Sequence, residues 1–326
     1  MTPRPCYNSD VSSLAGKTAV PLPREARRDL RLGIAAGTVA GAVVLAQAWW
    51  LAAVIDRVFL GGADLAAVGG ALALLIALAL ARAGLAWSAE VLGQRAAART
   101  KLALRGAAIG AVTAAGPVAV ARERTGEVVN TLASGVDALD AYVAQYLPQT
   151  RLAAIVPALV LAAVLWADPL SALVLALTFP LIPLFMYLIG AAARDRTRQQ
   201  WVTLSRTSAR FLDALQGLPT LKSFGRAGDE TATLADRSER FRRVTMDVLR
   251  LAFVSSLVLE LLATLSTAIV AVEVGLRLMY ARLAFHEALF VLILAPEFYR
   301  PLRALGAAYH AGMAGREAYA RVAALA

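Results

Sequence analysis

The side chains able to do chemistry in this sequence are polar or charged groups embedded in long apolar runs. Arg82 lies near the end of Leu65 to Trp87, Glu260 within Leu251 to Val272, and Gln47 within Leu32 to Ile55. An ionisable group at the centre of a bilayer helix costs about 2.5–3.5 kcal/mol on insertion scales, so each is a candidate for function. Arg82 carries a planar fork of donors that can grip a solute carboxylate; the bland alternative is an arginine snorkelling to an interface. Glu260 can hold a solute amine or pair with an arginine, and a structural ion pair fits it equally well. Glu297, Tyr299, Arg300, Arg303 and His310 form a further group. Their spacing puts Tyr299, Arg303 and His310 on one helical face, while Glu297 and Arg300 make an i,i+3 pair. Such a stripe suits a water-filled pathway, unless Arg300 and Arg303 already lie at an interface. Gln47 suits a helix–helix hydrogen bond or a ligand contact.

Helices that cross a bilayer must position these groups. The chain has 326 residues, of which 59% are hydrophobic and 17% charged, with a mean hydropathy of +0.62. Soluble domains average about 45–50% apolar and about 25% charged, so an ordinary cytosolic enzyme is excluded. Runs near the roughly 20 residues a transmembrane helix needs predict six spans, 32–55, 65–87, 152–167, 170–193, 251–272 and 288–314, after an N-terminal segment 1–31. The predicted class is therefore an all-α membrane protein. Asp168-Pro169 reads as a tight turn between the third and fourth spans. Pro296, Glu297, Arg300 and Arg303 interrupt the sixth, which is expected to face the protein interior. Gly33, Gly37 and Gly41 make a small-residue ridge that permits close helix approach.

Charge placement orients the set. Of the 33 Lys and Arg residues, 28 fall before the first span, in the two long loops or after Ala295. Basic residues favour the cytoplasm, which puts both termini and both long loops inside. The net charge of +10 is thus a topology signal, and no nucleic-acid partner is expected. Arg27-Arg28 resembles a twin-arginine export signal, but the following run is too long for a signal-peptide core and reads as an anchor.

Loops of about 60 residues are uncommon without structure of their own. In the first, the second span continues as a helix that Gly116-Pro117 is expected to end, with another helix opening at Thr125. In the second, Arg194 to Leu215 is helical, Gln216-Gly217-Leu218-Pro219 breaks it, a short Thr220–Phe224 segment follows, and Asp229 to Arg250 is helical again. Either these are plain helical hairpins, or their tips dock a cytosolic partner. The candidate docking residues are Gly116, Pro117, Arg122 and Arg124 in one tip, and Gly217, Leu218, Lys222 and Phe224 in the other.

Other chemistries find little support. The single Cys6 excludes an intramolecular disulfide and a Cys-rich zinc site, and no metal site or catalytic constellation is evident. A phosphate loop needs Gly-x-x-x-x-Gly-Lys-Ser/Thr; the near-hit Gly16-Lys17-Thr18 has Val11 where the first glycine belongs.

This architecture resembles the transmembrane domain of ATP-binding-cassette (ABC) exporters. Ala46-Gln47-Ala48-Trp49, Tyr146-Leu147-Pro148-Gln149, Pro180 to Met186, Thr245 to Phe253 and Ile293 to Tyr299 are similar to the CydD-like subunits of thiol-reductant exporters, over about Leu30 to Ala326. The resemblance implies a six-helix domain with two coupling helices, export of cysteine or glutathione in support of cytochrome bd assembly, and a CydC-like partner in the bacterial inner membrane. It also implies ATP and Mg²⁺ in an ATPase domain, so these 326 residues alone are not expected to hydrolyse ATP. Haem is a family-level cofactor, with His286 or His310 as the available axial ligands. Another exported solute, a lipid or a peptide, fits the same fold, as does a fragment that transports nothing.

Overall fold

The computed structural model describes residues 20–122, 136–137 and 139–325, and every regular element among them is a helix. Helix α1 spans Arg24–Phe59 and α2 spans Leu65–Arg122. A single turn, Leu139–Ala141, and a π-helical turn, Tyr142–Tyr146, lead into α3, Leu147–Ala167. Then come α4 (Pro169–Thr178), α5 (Leu181–Gln216), α6 (Leu218–Ser223), α7 (Ala227–Met279) and α8 (Phe285–Leu325). Five stretches are long and apolar enough to cross a bilayer: α1, Leu65–Ala114, Leu139–Ala167, Pro169–Met186 and α7. α8 is not one of them, because Glu287, Glu297 and Arg300 fall within its apolar part.

The described residues divide into two compact units, one within Met1–Ala176 and Leu265–Ala326, the other Leu177–Thr264. The first is built on close helix approach. A Cβ at Gly33 would come 3.3 Å from the Ala89 carbonyl of α2; at Gly37 and Gly41 it would come 2.9 Å and 3.0 Å from Leu152 and Val156 of α3. The glycine ridge thus brings α1 against two partners at once. Gly93 does the same for α2, where a Cβ would lie 2.9 Å from the Ala144 carbonyl oxygen in the π-turn. Val136, Leu139 and Val143 pack with Ala96, Ala97 and Ala108 into one core cluster. Lys101 on α2 closes it at the surface, with Nζ 2.6 Å from Asp140 and 3.2 Å from Asp137.

In α8, Phe290, Val291, Leu294, Ala295, Phe298 and Tyr299 are almost fully buried, in keeping with an interior-facing helix. Pro296 and Pro301 lie inside it, and each removes a backbone donor. Gln149 Nε2 of α3 donates to the Pro301 carbonyl at 2.8 Å, which ties the two helices together there.

Two expectations are corrected. Gly116-Pro117 does not end α2, which runs on to Arg122; a proline costs an interior helix one hydrogen bond, about 3 kcal/mol, and a helix of 58 residues keeps its other rungs. The segment from Leu170 to Ala193 is not one helix. It breaks at Phe179-Pro180 between α4 and α5, because Pro180 has no N–H to continue the ladder and disfavours helical geometry in the residue before it. The helix expected from Thr125, and Arg124 with it, lies outside the described residues.

In the second unit α5, α6 and the first half of α7 form a strut with a folded tip. Gly217 caps α5, its N–H donating to the Asp213 carbonyl at 2.9 Å, and opens α6 at once. The chain then reverses at Gly225, whose φ of +69° favours glycine. Arg210 of α5 donates twice to Glu230 of α7, at 3.0 and 3.1 Å, and clamps the two sides of the tip.

Candidate functional site

Three of the polar groups singled out in separate apolar runs meet in space. Arg82 Nη1 of α2 donates to Gln47 Oε1 of α1, and Arg82 Nη2 to Glu297 Oε1 of α8, both at 3.4 Å. On its other side Glu297 accepts from Arg300 Nε at 2.8 Å. The side chains of Arg82 and Glu297 are 32% and 24% exposed, so the cluster is half-buried yet reachable. Charge-assisted N–H···O bonds normally close to about 2.7–2.9 Å. The Arg300–Glu297 bond is of that kind, whereas both contacts of Arg82 are long. A guanidinium has five N–H donors, so Arg82 holds donor capacity that a ligand carboxylate could take up.

The other candidates are placed differently. Tyr299 is fully buried, packed edge-on to Phe298 with ring centroids 4.9 Å apart. Arg303 is half-buried on α8, and the side chain of His310 lies outside the described residues. At about 100° per residue, Tyr299 and Arg303 fall on a different face of α8 from Glu297, so the polar residues there form two rows. Glu260 is exposed on α7 in the second unit.

At the tip of that unit, Leu218, Lys222 and Phe224 are exposed, Phe224 at 77%. Leu218 also lines a shallow apolar groove with Phe211, Leu215, Leu221 and Leu234. Gly116 and Pro117 are helical in α2, and Arg122 is its last residue.

One cluster has no counterpart among the sequence-derived candidates. Between α3 and α4, Asp168 caps α4: its Oδ2 accepts from the Ser171 N–H at 3.1 Å, with Pro169 at the first helical position, the preferred pairing of cap and proline. Arg277 Nη1 of α7 donates to Asp168 at 2.6 Å and to Glu273 at 2.8 Å. The Ser171 hydroxyl is shared between Asp168 and Glu273. The Asp168 side chain is 1% exposed. Burial pushes its carboxyl upward, but the Ser171 hydroxyl, the Arg277 guanidinium and the Ser171 N–H outweigh this and hold it below its ordinary value. The sequence signal was the Asp-Pro step alone.

His286 is set edge-on to Trp49, ring centroids 4.2 Å apart, and Trp49 also meets Phe290 and Trp166 at 5.3 Å. Its Nε2 is buried, without a hydrogen-bond partner among the described residues.

Comparison with known proteins places this geometry. The ABC transporter transmembrane region family matches residues 30–299. The chain is 37% identical over 294 residues to the glutathione/L-cysteine transport system ATP-binding/permease protein CydD of Escherichia coli, covering 87% of this chain and 50% of that protein. It is 37% identical over 294 residues to the transport ATP-binding protein AarD of Providencia stuartii (88% and 50%). With the CydC protein of the corresponding Bacillus subtilis system it shares 34% identity over 277 residues (85% and 49%). The chain spans about half the length of the curated relatives it matches. With five bilayer-length apolar stretches and a family match running from within the first to the charged turn of α8, this multi-pass membrane chain belongs to the ABC transporter transmembrane region family.

Proposed function

We propose that the chain forms the transmembrane pathway of an ABC exporter that moves cysteine or glutathione out of the cytoplasm. α8 serves as the sixth span, the termini are cytoplasmic, and the setting is the bacterial inner membrane. A CydC-like subunit completes the pathway, ATP-binding domains grip the tips around Gly116–Arg124 and Gly217–Phe224, and the exported thiol supports cytochrome bd assembly.

The observation that carries this reading is Arg82, whose two contacts, with Gln47 and Glu297, are both 3.4 Å long. A cation half-buried in an apolar helix is costly, and one held this loosely is poorly explained as a structural ion pair. Cysteine and glutathione each carry a carboxylate that a guanidinium fork can accept. Binding would exchange Glu297 for the solute carboxylate, with Arg300 keeping Glu297 neutralised meanwhile. Motion of the ATP-binding domains would reach the helices through the strut that Arg210 and Glu230 clamp. Glu260, Tyr299, Arg303 and His310 complete the proposed pathway.

The test is ATP-dependent uptake of radiolabelled glutathione and cysteine into inverted vesicles containing the full-length transporter and its partner. Uptake that Arg82→Gln lowers at least tenfold, with expression unchanged, supports the reading. Unchanged uptake removes Arg82 from the pathway, and no uptake of either thiol by the native protein overturns the substrate assignment.

A further inference from the structure

At the start of α1 the charges separate by face. Glu25 and Asp29 turn toward α2, where Arg99 Nη1 lies 2.8 Å from Asp29 and 3.5 Å from Glu25. Gly33 continues that packed face against Ala89. Arg24, Arg27, Arg28 and Arg31 occupy the opposite side, within an arc of about 100° at 3.6 residues per turn, and all four are exposed. Arg27 Nε donates to the Leu22 carbonyl at 2.9 Å. The four guanidinium groups and Leu32 line one open groove.

The surface below the arginines decides what such a groove could hold. Along the same side of α1 the residues are Leu32, Ala35, Val39 and Ala42, all exposed, Leu32 at 48% and Val39 at 50%. From Leu32 to Ala42 the helix rises about 15 Å, half the roughly 30 Å thickness of a bilayer hydrocarbon core. A cationic groove over an apolar track one leaflet deep matches a molecule with an anionic head and long acyl chains. Free phosphate would use the arginines and leave the track bare; a zwitterionic lipid would use the track and gain little from four positive charges.

We infer that Arg24, Arg27, Arg28 and Arg31 bind the headgroup of an anionic diacyl phospholipid whose chains lie along Leu32, Ala35, Val39 and Ala42. Each arginine near an anionic membrane surface contributes about 1 kcal/mol, roughly fivefold in affinity. The site is separate from Arg82 and does not depend on which solute is transported.

The experiment is thermal unfolding of the purified full chain in detergent, titrated in parallel with phosphatidylglycerol, with phosphatidylcholine of the same acyl chains, and with inorganic phosphate. Phosphatidylglycerol should raise the Tm saturably, and the other two should not. The combined variant R24Q/R28Q/R31Q should raise the half-saturating concentration more than tenfold, and Val39→Asp should also raise it. R226Q/R240Q/R243Q, which removes as many charges elsewhere, should leave it unchanged. If the triple variant does not fold, Arg28→Gln and Arg31→Gln carry the test singly, at about fivefold each. An equal response to phosphatidylcholine or to phosphate overturns the inference, as does wild-type half-saturation in the arginine variants.

Discussion

Arg277 and Asp168 stand 2.6 Å apart although 109 positions separate them in the chain. Their bond pins the end of α7 to the α3–α4 turn, and it holds a carboxylate that is 1% exposed. Breaking a buried pair from one side costs about 3–5 kcal/mol, since the remaining charge is left uncompensated. Arg277→Gln should therefore lower stability by about 3 kcal/mol, read as a large drop in Tm in detergent. Asp168→Asn should cost less, because asparagine also caps a helix well.

The same carboxylate sets an acid limit. Asp168 is held below its ordinary value of 3.8, so the unfolded chain takes up its proton first as pH falls. Its contribution is fully present above 3.8 and is lost as pH drops through the lower, folded value. Tm should be insensitive to this group from pH 5 to 8 and fall below about pH 4, and Asp168→Asn should remove that step. Lys101 works in the opposite sense: the hydrogen bond it donates to Asp140, against the opposing pull of burial, raises it above 10.5. Its contribution is present below 10.5 and lost as pH climbs through the raised value, so Lys101→Met should flatten the alkaline side of the profile.

Glu297→Gln is expected to separate from Arg82→Gln. Removing the carboxylate leaves Arg82 without its internal acidic partner. The half-saturating concentration of glutathione should fall in the vesicle assay, by up to about tenfold for a charge-assisted bond of about 1.5 kcal/mol. A rise in that concentration would show that Glu297 holds Arg82 in place rather than competing for it.

Gly37→Ala and Gly93→Ala should differ although the new Cβ meets an atom at 2.9 Å in both. At Gly37 that atom is the end of the Leu152 side chain, which can turn away. At Gly93 it is the Ala144 carbonyl oxygen, fixed in the backbone of the π-turn. Overpacking costs about 1–3 kcal/mol, and Gly93→Ala should fall at the upper end, Gly37→Ala at the lower, as compared by thermal unfolding.

Phe224→Asp tests the strut. With Phe224 77% exposed, Tm should change little, while ATP-dependent uptake and co-purification with the ATP-binding domains should both fall several-fold.

Much of this arrangement is legible in the sequence because the bilayer makes polar residues conspicuous. Arg82, Gln47 and Glu297 stand out singly for that reason. Their meeting does not, since a contact between residues 215 positions apart depends on how α1, α2 and α8 pack. Gly33, Gly37 and Gly41 announce close packing by their spacing, yet that spacing does not say that α2 takes the first and α3 the other two. Asp168-Pro169 is readable as a turn because cap and proline are adjacent. Ser171, Glu273 and Arg277 gain their meaning only from the fold. Proline is the ambiguous letter: Pro180 breaks a helix and Pro117, Pro157, Pro296 and Pro301 do not, because neighbouring turns and packing decide whether one missing donor matters.

The two prolines of α8 bracket Glu297. Pro296 leaves the Leu292 carbonyl without its usual donor, and Pro301 leaves that of Glu297 itself without one. The turn bearing the acidic partner of Arg82 therefore lacks two rungs of its backbone ladder, and buried Phe298 and Tyr299, with the Gln149 bond to the Pro301 carbonyl, hold its pitch instead. A change of pitch there would shift the Glu297 carboxylate against the guanidinium, so in the proposed pathway the contact with Arg82 and the local geometry of α8 would vary together.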